Sequence, residues 1–307
     1  MTNMSLKASW VAVDWGTSNF RAFLMTPEGQ TIDKLTASCG LLAVPNGQFS
    51  DTFQQLVSPW ADSINSLSVL FAGMVGSQQG WRDVPYVSLP VSPDALIQNM
   101  ADVTLPWGKK GWIVPGATGD NDFDLPDVMR GEEVQLMGLV SLTDNCVTHA
   151  ILPGTHSKHV HVKSGELTHF QTYMTGELFS VLKQHSILGR QLPEQQHCDT
   201  SYLLGVDAGR KGALSSVLFS ARTQRLFNHV APENVESYLS GVLIGAELGT
   251  LNEDGPIYLV GDEKLCQRYL LAIEHLDLQG KIMSGDECFL AGMTTIYQQS
   301  RNRCHVA

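Results

Sequence analysis

The sequence predicts an α/β fold built from two copies of one strand-and-helix unit, with a cleft between the copies. Each half of the chain opens with antiparallel strands about a Gly-Thr turn, VDWGTSNFRAFLM at Val13 to Met25 and LPGTHSKHVHV at Leu152 to Val162. Each half then continues into strand and helix patterns, the signature of a duplicated α/β domain. The 307 residues suffice for two domains with separate cores. The join falls near Thr143 to Cys146, giving an N-terminal lobe of residues 1–144 and a C-terminal lobe of residues 145–307.

In chain order, Trp10 to Asp14 is a compact apolar run ending in a carboxylate, and Asn19 to Met25 follows as a second strand, with Thr31 to Ser38 as a third. Ser50 to Ser63 opens with a Ser-Asp cap signal and has apolar residues at helical spacing, interrupted by Pro59. Leu67 to Ser77 reads as a buried strand ending in glycines and Gly111 to Gly119 as another, while the Pro- and aromatic-rich WRDVPYVSLPVSPDAL between them reads as an insertion. GEEVQLMGLVSL is a helix. The second half repeats the scheme with a strand CVTHAILP, a turn GTHSKH and two strands in HVHVKSGELTHFQTYMT. Helices follow at TGELFSVLKQHS, at one long stretch SYLLGVDAGRKGALSSVLFSART and at APENVESYLSGVLIGAELGTL, then a strand PIYLVG, a helix DEKLCQRYLLAIEHL, a strand KIMS and a helix DECFLAGMTTIYQQS.

Composition narrows the function classes. Hydrophobic residues make up 43% and charged residues 17%, the balance of a packed globular protein. A formal net charge of -11 without a basic stripe excludes nonspecific nucleic-acid binding, which needs clustered Lys and Arg. No apolar run reaches membrane-span length, and the N-terminus lacks a signal-peptide pattern, so no membrane partner is expected. The six cysteines are scattered without a CxxC pair, as expected of reduced thiols in a cytoplasm.

The two turns point to a phosphate ligand. Glycine lets backbone N–H groups approach an anion, and neighbouring hydroxyls add donors. Singly, each is an ordinary hairpin turn. Together, Gly16, Thr17, Ser18 and Asn19 in the first half and Gly154, Thr155, His156 and Ser157 in the second can grip a polyphosphate from two sides. Asp14, at the end of the first strand, is placed to hold a hydrated Mg²⁺ against those phosphates. His156, His159 and His161 resemble a metal cluster, but their alternation along a strand and the lack of a nearby Cys or carboxylate argue against zinc. LLGVDAGRKG lacks the spacing of a dinucleotide site and reads as helix.

The segments VDWGTSNFR, AGMVGSQQGW, DVMRGEEVQ, LPGTHSKH and TYMTGELF, taken as a set, resemble the 2-dehydro-3-deoxygalactonokinase family, within the sugar kinase, heat-shock ATPase and actin superfamily. The likeness runs over essentially the whole chain. It implies a two-lobed, duplicated ribonuclease-H-like (actin-like ATPase) fold. It also implies ATP-dependent phosphorylation of the 6-hydroxyl of 2-dehydro-3-deoxy-D-galactonate in galactonate breakdown, with ATP and Mg²⁺ as cofactors. Other sugar or amino-sugar kinases and polyphosphate or nucleotide phosphohydrolases are the alternatives, and the sequence leaves room for a homo-oligomer.

In related folds the catalytic base sits at the start of the helix closing the first domain, here Glu132 or Glu133, with Glu132 preferred and Asp122 and Asp127 as competitors. For the sugar acid, Ser77, Gln79 and Trp81 offer hydroxyl, amide and indole donors, and Arg21 or Arg82 a guanidinium for its carboxylate. Tyr173 and Glu177 are further candidates. Gly261 and Asp262 occupy the superfamily's adenosine segment, although many members have a second glycine where Asp262 stands. Gly292 reads as a close-packing residue.

Overall fold

The fold is that of a computed structural model describing residues 7–144, 147–249, 251 and 255–302. Residues 145 and 146, where the sequence places the join between lobes, lie outside the described residues. The chain separates into two compact units, the first formed by Met1–Val147, Val162–Phe170 and Gly285–Ala307 and the second by Thr148–His161 and Gln171–Ser284. A single cut at 144/145 therefore does not reproduce the division. The C-terminal helix belongs with the first unit because it packs along that unit's long helix.

In the first unit β1 (Trp10–Trp15), β2 (Phe20–Met25) and β3 (Thr31–Ala37) form an antiparallel meander. Then β4 (Ser68–Ala72) joins β1 in parallel, β7 (Lys110–Ile113) joins β4 in parallel, and β6 (Ala101–Thr104) closes the edge, giving the order β3-β2-β1-β4-β7-β6. A small sheet of β5 (Val87–Ser88), β8 (Ala117–Asp120) and β9 (Pro126–Met129) stands apart from it. In a second sheet, drawn mainly from the second unit, β12 (Glu166–Tyr173), β11 (Ser157–Lys163), β10 (His149–Leu152), β13 (Ile257–Gly261) and β14 (Gly280–Ser284) lie in that order, with β10 antiparallel to β11 and parallel to β13. Numbered within each sheet, the second runs 3-2-1-4-5 and the first 3-2-1-4-6-5, the same order with the antiparallel β6 added at the edge. This is the ribonuclease-H-like order, so the duplicated α/β fold is present.

The helices follow the hydrophobic periodicity. In the first unit are α1 (Phe49–Leu56), α2 (Ala61–Ile64), α3 (Pro93–Gln98), α4 (Glu132–Leu142) and the last helix α11 (Gly285–Asn302). The second holds α5 (Thr175–His185), α6 (Asp199–Gly209), α7 (Leu214–Val217), α8 (Ser220–Leu226), α9 (Val235–Leu248) and α10 (Glu263–His275). Gly292 on α11 meets α4 so closely that a Cβ there would collide with the Val134 carbonyl, so it is a packing residue. In the first core, strand-facing side chains of β1 and β4 meet the aromatic face of α1, with Phe53 centred 5.0 Å from Phe71.

Four local expectations change. Gly111 to Gly119 is two strands, because Pro115 has no N–H to continue the ladder after Val114 donates to Phe71 O. The supposed insertion contributes Val84, Val91 and Leu96 to the core, all fully buried. The long helix from Ser201 is broken into α6, α7 and α8 around Arg210 to Ala213, where Gly212 is a poor helix former. The second turn ends at His156, and Ser157 already belongs to β11. No described helix is long and apolar enough to cross a membrane.

Candidate active site

The β1–β2 hairpin holds the first turn rigidly. Trp15 and Phe20 pair across it, and Gly16 N donates to Asn19 O at 2.9 Å. Residues after β3 then clamp the loop, Gly40 N donating to Ser18 O at 3.1 Å and Leu41 N to Gly16 O at 2.9 Å. Gly40 allows this because any Cβ there would overlap the Thr17 carbonyl. Thr17, Ser18 and Asn19 remain exposed at the tip.

Asp14 pairs in register with Arg21, whose Nε donates to Asp14 Oδ2 at 3.0 Å, with Nη2 on the same oxygen. Nη1 of Arg21 binds Asp286, which also holds Lys34 Nζ at 2.8 Å. Burial alone would lower the Arg21 pKa, yet the Asp14 and Asp286 charges raise it above its ordinary value. The other oxygen of Asp14, Oδ1, faces Gly73, 3.2 Å from where a Cβ on that glycine would stand. A hard carboxylate oxygen beside a space without a side chain fits a hydrated Mg²⁺.

The second turn is built alike. Gly176, at the start of α5, packs on it so tightly that a Cβ would sit 2.8 Å from Thr155 Cα, and Glu177 N donates to Thr155 O at 2.9 Å. Thr155 and His156 are exposed, and His156 Nε2 meets Glu177 Oε2 at 2.5 Å. Ser157 is turned inward, its hydroxyl donating to Glu247 Oε1 at 2.7 Å, so the structure separates it from the exposed part of the turn. Gly261 lies beside this turn, a Cβ there falling 3.4 Å from the Pro153 carbonyl. Asp262 instead caps α10, accepting from Leu265 N at 3.0 Å.

The two glutamates differ sharply. Glu132 is half-buried and accepts from Arg130 N at 2.9 Å. Glu133 is fully buried, accepts from Gly131 N at 2.7 Å through Oε2, and has no hydrogen-bond partner at Oε1. Burial, with the Glu132 charge second, pushes the Glu133 pKa up to about 8.

Among the sugar-acid candidates, Ser77 is buried with its hydroxyl lacking a hydrogen-bond partner, while Gln79 is exposed. Trp81 packs into the aromatic core, 5.5 Å from Phe71 and 6.5 Å from Trp15 between ring centroids. Arg82 is an exposed residue paired with Asp102 at 2.7 Å. The two arginines singled out in the sequence are thus both matched to aspartates.

Two residues escaped the sequence. Glu247 on α9 is buried and receives Ser157, His159 Nε2 at 2.9 Å, Thr175 and the Tyr269 hydroxyl at 2.7 Å. It also lines a cavity of about 460 Å³ with Tyr173, Thr175, Arg210, Lys211 and Leu243, within the size range of small-molecule sites. Arg130, just before the helix of the two glutamates, is buried as well. Its signal is a basic residue one glycine ahead of two acids, in a segment that lies outside the turns.

The family described as 2-keto-3-deoxy-galactonokinase matches residues 14–296. The chain is 31% identical over 296 residues to the 2-dehydro-3-deoxygalactonokinase of Escherichia coli (strain K12), covering 95% of this chain and 98% of that one. A crystal structure of a Sinorhizobium meliloti protein bearing the same activity name superposes with a TM-score of 0.85 at 28% identity, over 94% of this chain and 96% of that one. The Clostridium difficile activator of 2-hydroxyisocaproyl-CoA dehydratase, solved with ADPNP, shares the fold alone, with a TM-score of 0.50 at 10% identity over 96% of both chains.

Proposed function

The chain belongs to the 2-keto-3-deoxy-galactonokinase family, and from that membership we propose that it transfers the γ-phosphoryl group of ATP to the 6-hydroxyl of 2-dehydro-3-deoxy-D-galactonate. The product is 2-dehydro-3-deoxy-6-phospho-D-galactonate, in D-galactonate catabolism. The observation that carries this reading is the near-complete match to the family, together with a clamped Gly-Thr turn in each unit. Phosphoryl transfer asks a protein mainly for positioning and charge stabilisation.

The exposed tips of both turns, Gly16 to Asn19 and Gly154 to His156, bind phosphate through backbone amides and hydroxyls. The cavity at the start of α5, lined by Tyr173, Thr175, Arg210, Lys211 and Leu243, takes the adenosine end. Asp14 would hold Mg²⁺, which would supply charge neutralisation at the phosphates. Glu132, half-exposed at the first turn of α4, takes the proton of the substrate hydroxyl. Glu133 stays buried and holds its own proton near neutral pH.

The test is ADP formation from Mg-ATP with and without 2-dehydro-3-deoxy-D-galactonate, its gluconate epimer and several hexoses. Stimulation by the galactonate derivative is expected. ADP release that ignores every acceptor would replace the kinase with a phosphohydrolase, and stimulation by a different sugar alone would overturn the substrate.

A further inference from the structure

Arg130 is a buried guanidinium without a matching anion. It is 9% exposed, its Nη2 donates to Val84 O at 2.7 Å, and its plane lies over the Tyr86 ring at 4.3 Å. Its Nε and Nη1 are buried without a hydrogen-bond partner. Among the described residues no carboxylate lies within ion-pairing distance of it. A buried charge of this kind is costly unless something neutralises it, and so is each buried polar atom left without a hydrogen bond.

The orphaned atoms cluster. Nη1 of Arg130 lies 2.9 Å from where a Cβ on Gly76 would stand, which places it against the residue preceding Ser77, whose buried hydroxyl also lacks a hydrogen-bond partner. Glu133, three residues along the chain, has a third such group in Oε1, and it feels the Arg130 charge. That acid is mostly protonated near neutral pH, so it does not neutralise the guanidinium. Glu132, the proposed base, is tied to the Arg130 backbone. A carboxylate, whose two oxygens can accept several hydrogen bonds, would satisfy the guanidinium and the hydroxyl together.

We propose that Arg130, with Ser77, recognises the carboxylate of the sugar-acid substrate. This assignment rests on the kinase reading above. It removes Arg21 and Arg82 from that role, since aspartates already hold both. Arg130 then serves specificity, separating sugar acids from neutral sugars of the same shape.

The experiment compares kcat/KM for the sugar acid with that for its uncharged carboxamide, in the wild-type protein, R130M, R130K and S77A. The wild type is expected to favour the acid, and R130M to lower that preference roughly 10- to 100-fold while leaving the KM for ATP little changed. R130K keeps the charge and retains part of the preference. S77A, a smaller change that preserves the buried charge, lowers it several-fold and stands in should R130M not fold. A merely structural loss would depress both substrates equally and leave the ratio intact. An unchanged ratio in folded R130M or in S77A overturns the proposal, whereas a wild-type protein inactive on the acid would overturn the kinase reading itself.

Discussion

Asp14 and Arg21 face each other across the β1–β2 pair, the guanidinium holding one carboxylate oxygen and leaving the other turned to Gly73. The pairing fixes the orientation of the proposed magnesium ligand before nucleotide binds. Replacing Asp14 by Asn removes the charge toward the metal while keeping the side chain's shape. Turnover should fall by about 100-fold or more, the scale of metal charge stabilisation. The melting temperature should shift by only a few degrees, because the pair is partly exposed and Asn keeps a hydrogen-bond acceptor for Arg21. Steady-state kinetics with thermal melts check this, and undiminished turnover would remove Asp14 from the metal site.

Glu133 ties stability to pH. Its folded-state pKa of about 8 stands above the ordinary 4.5. Between those values the unfolded chain has released a proton that the folded chain still binds, so stability falls as pH rises, and levels off above about 8. E133Q lacks this dependence. Urea unfolding should show the variant gaining on the wild type by several kcal/mol between pH 5 and pH 8. A stability difference that is flat over that range would show that Glu133 titrates normally.

Breaking the Glu247 network should be costly. E247A leaves the hydroxyls of Ser157, Thr175 and Tyr269 and the ring of His159 without their common acceptor. A loss of about 3–5 kcal/mol in denaturant unfolding is expected. A loss below about 1 kcal/mol would mean that water replaces the carboxylate readily.

The glycines behind the turns can be tested by adding one methyl group. G40A pushes on Thr17 and G176A on Thr155, in backbone segments that carry the proposed phosphate donors. Each should raise the KM for ATP about 10-fold or more, since overpacking shifts backbone at a cost of about 1–3 kcal/mol. The KM for the sugar acid should change less. Equal changes in both constants would point to general disruption rather than a displaced phosphate turn.

E132Q should retain ATP binding and lose most turnover, with a fall of about 100-fold, the usual contribution of a general base. Isothermal titration with an ATP analogue separates the two effects. Retained turnover would pass the role to Asp122 or Asp127.

Much of the molecule was legible in the chain because the relevant chemistry is local. Turn glycines, strand alternation and helix periodicity depend on neighbours a few residues apart, and they marked both Gly-Thr turns, the duplicated units and the helix carrying Glu132 and Glu133. Pro115 and Gly212 show the limit even there, since each broke an element whose hydrophobic pattern continued past it.

What the sequence by itself determined was the repeated unit, the pair of Gly-Thr turns and the acids close to them in the chain. Only the tertiary structure decided which charges are already matched. Arg21 finds Asp286 across 265 positions of chain, and Glu247 collects donors from Ser157 to Tyr269. Burial and electrostatic pairing depend on distance in space, and no spacing in the chain distinguishes Arg82 on the surface from Arg130 inside, where a charge without a partner demands one.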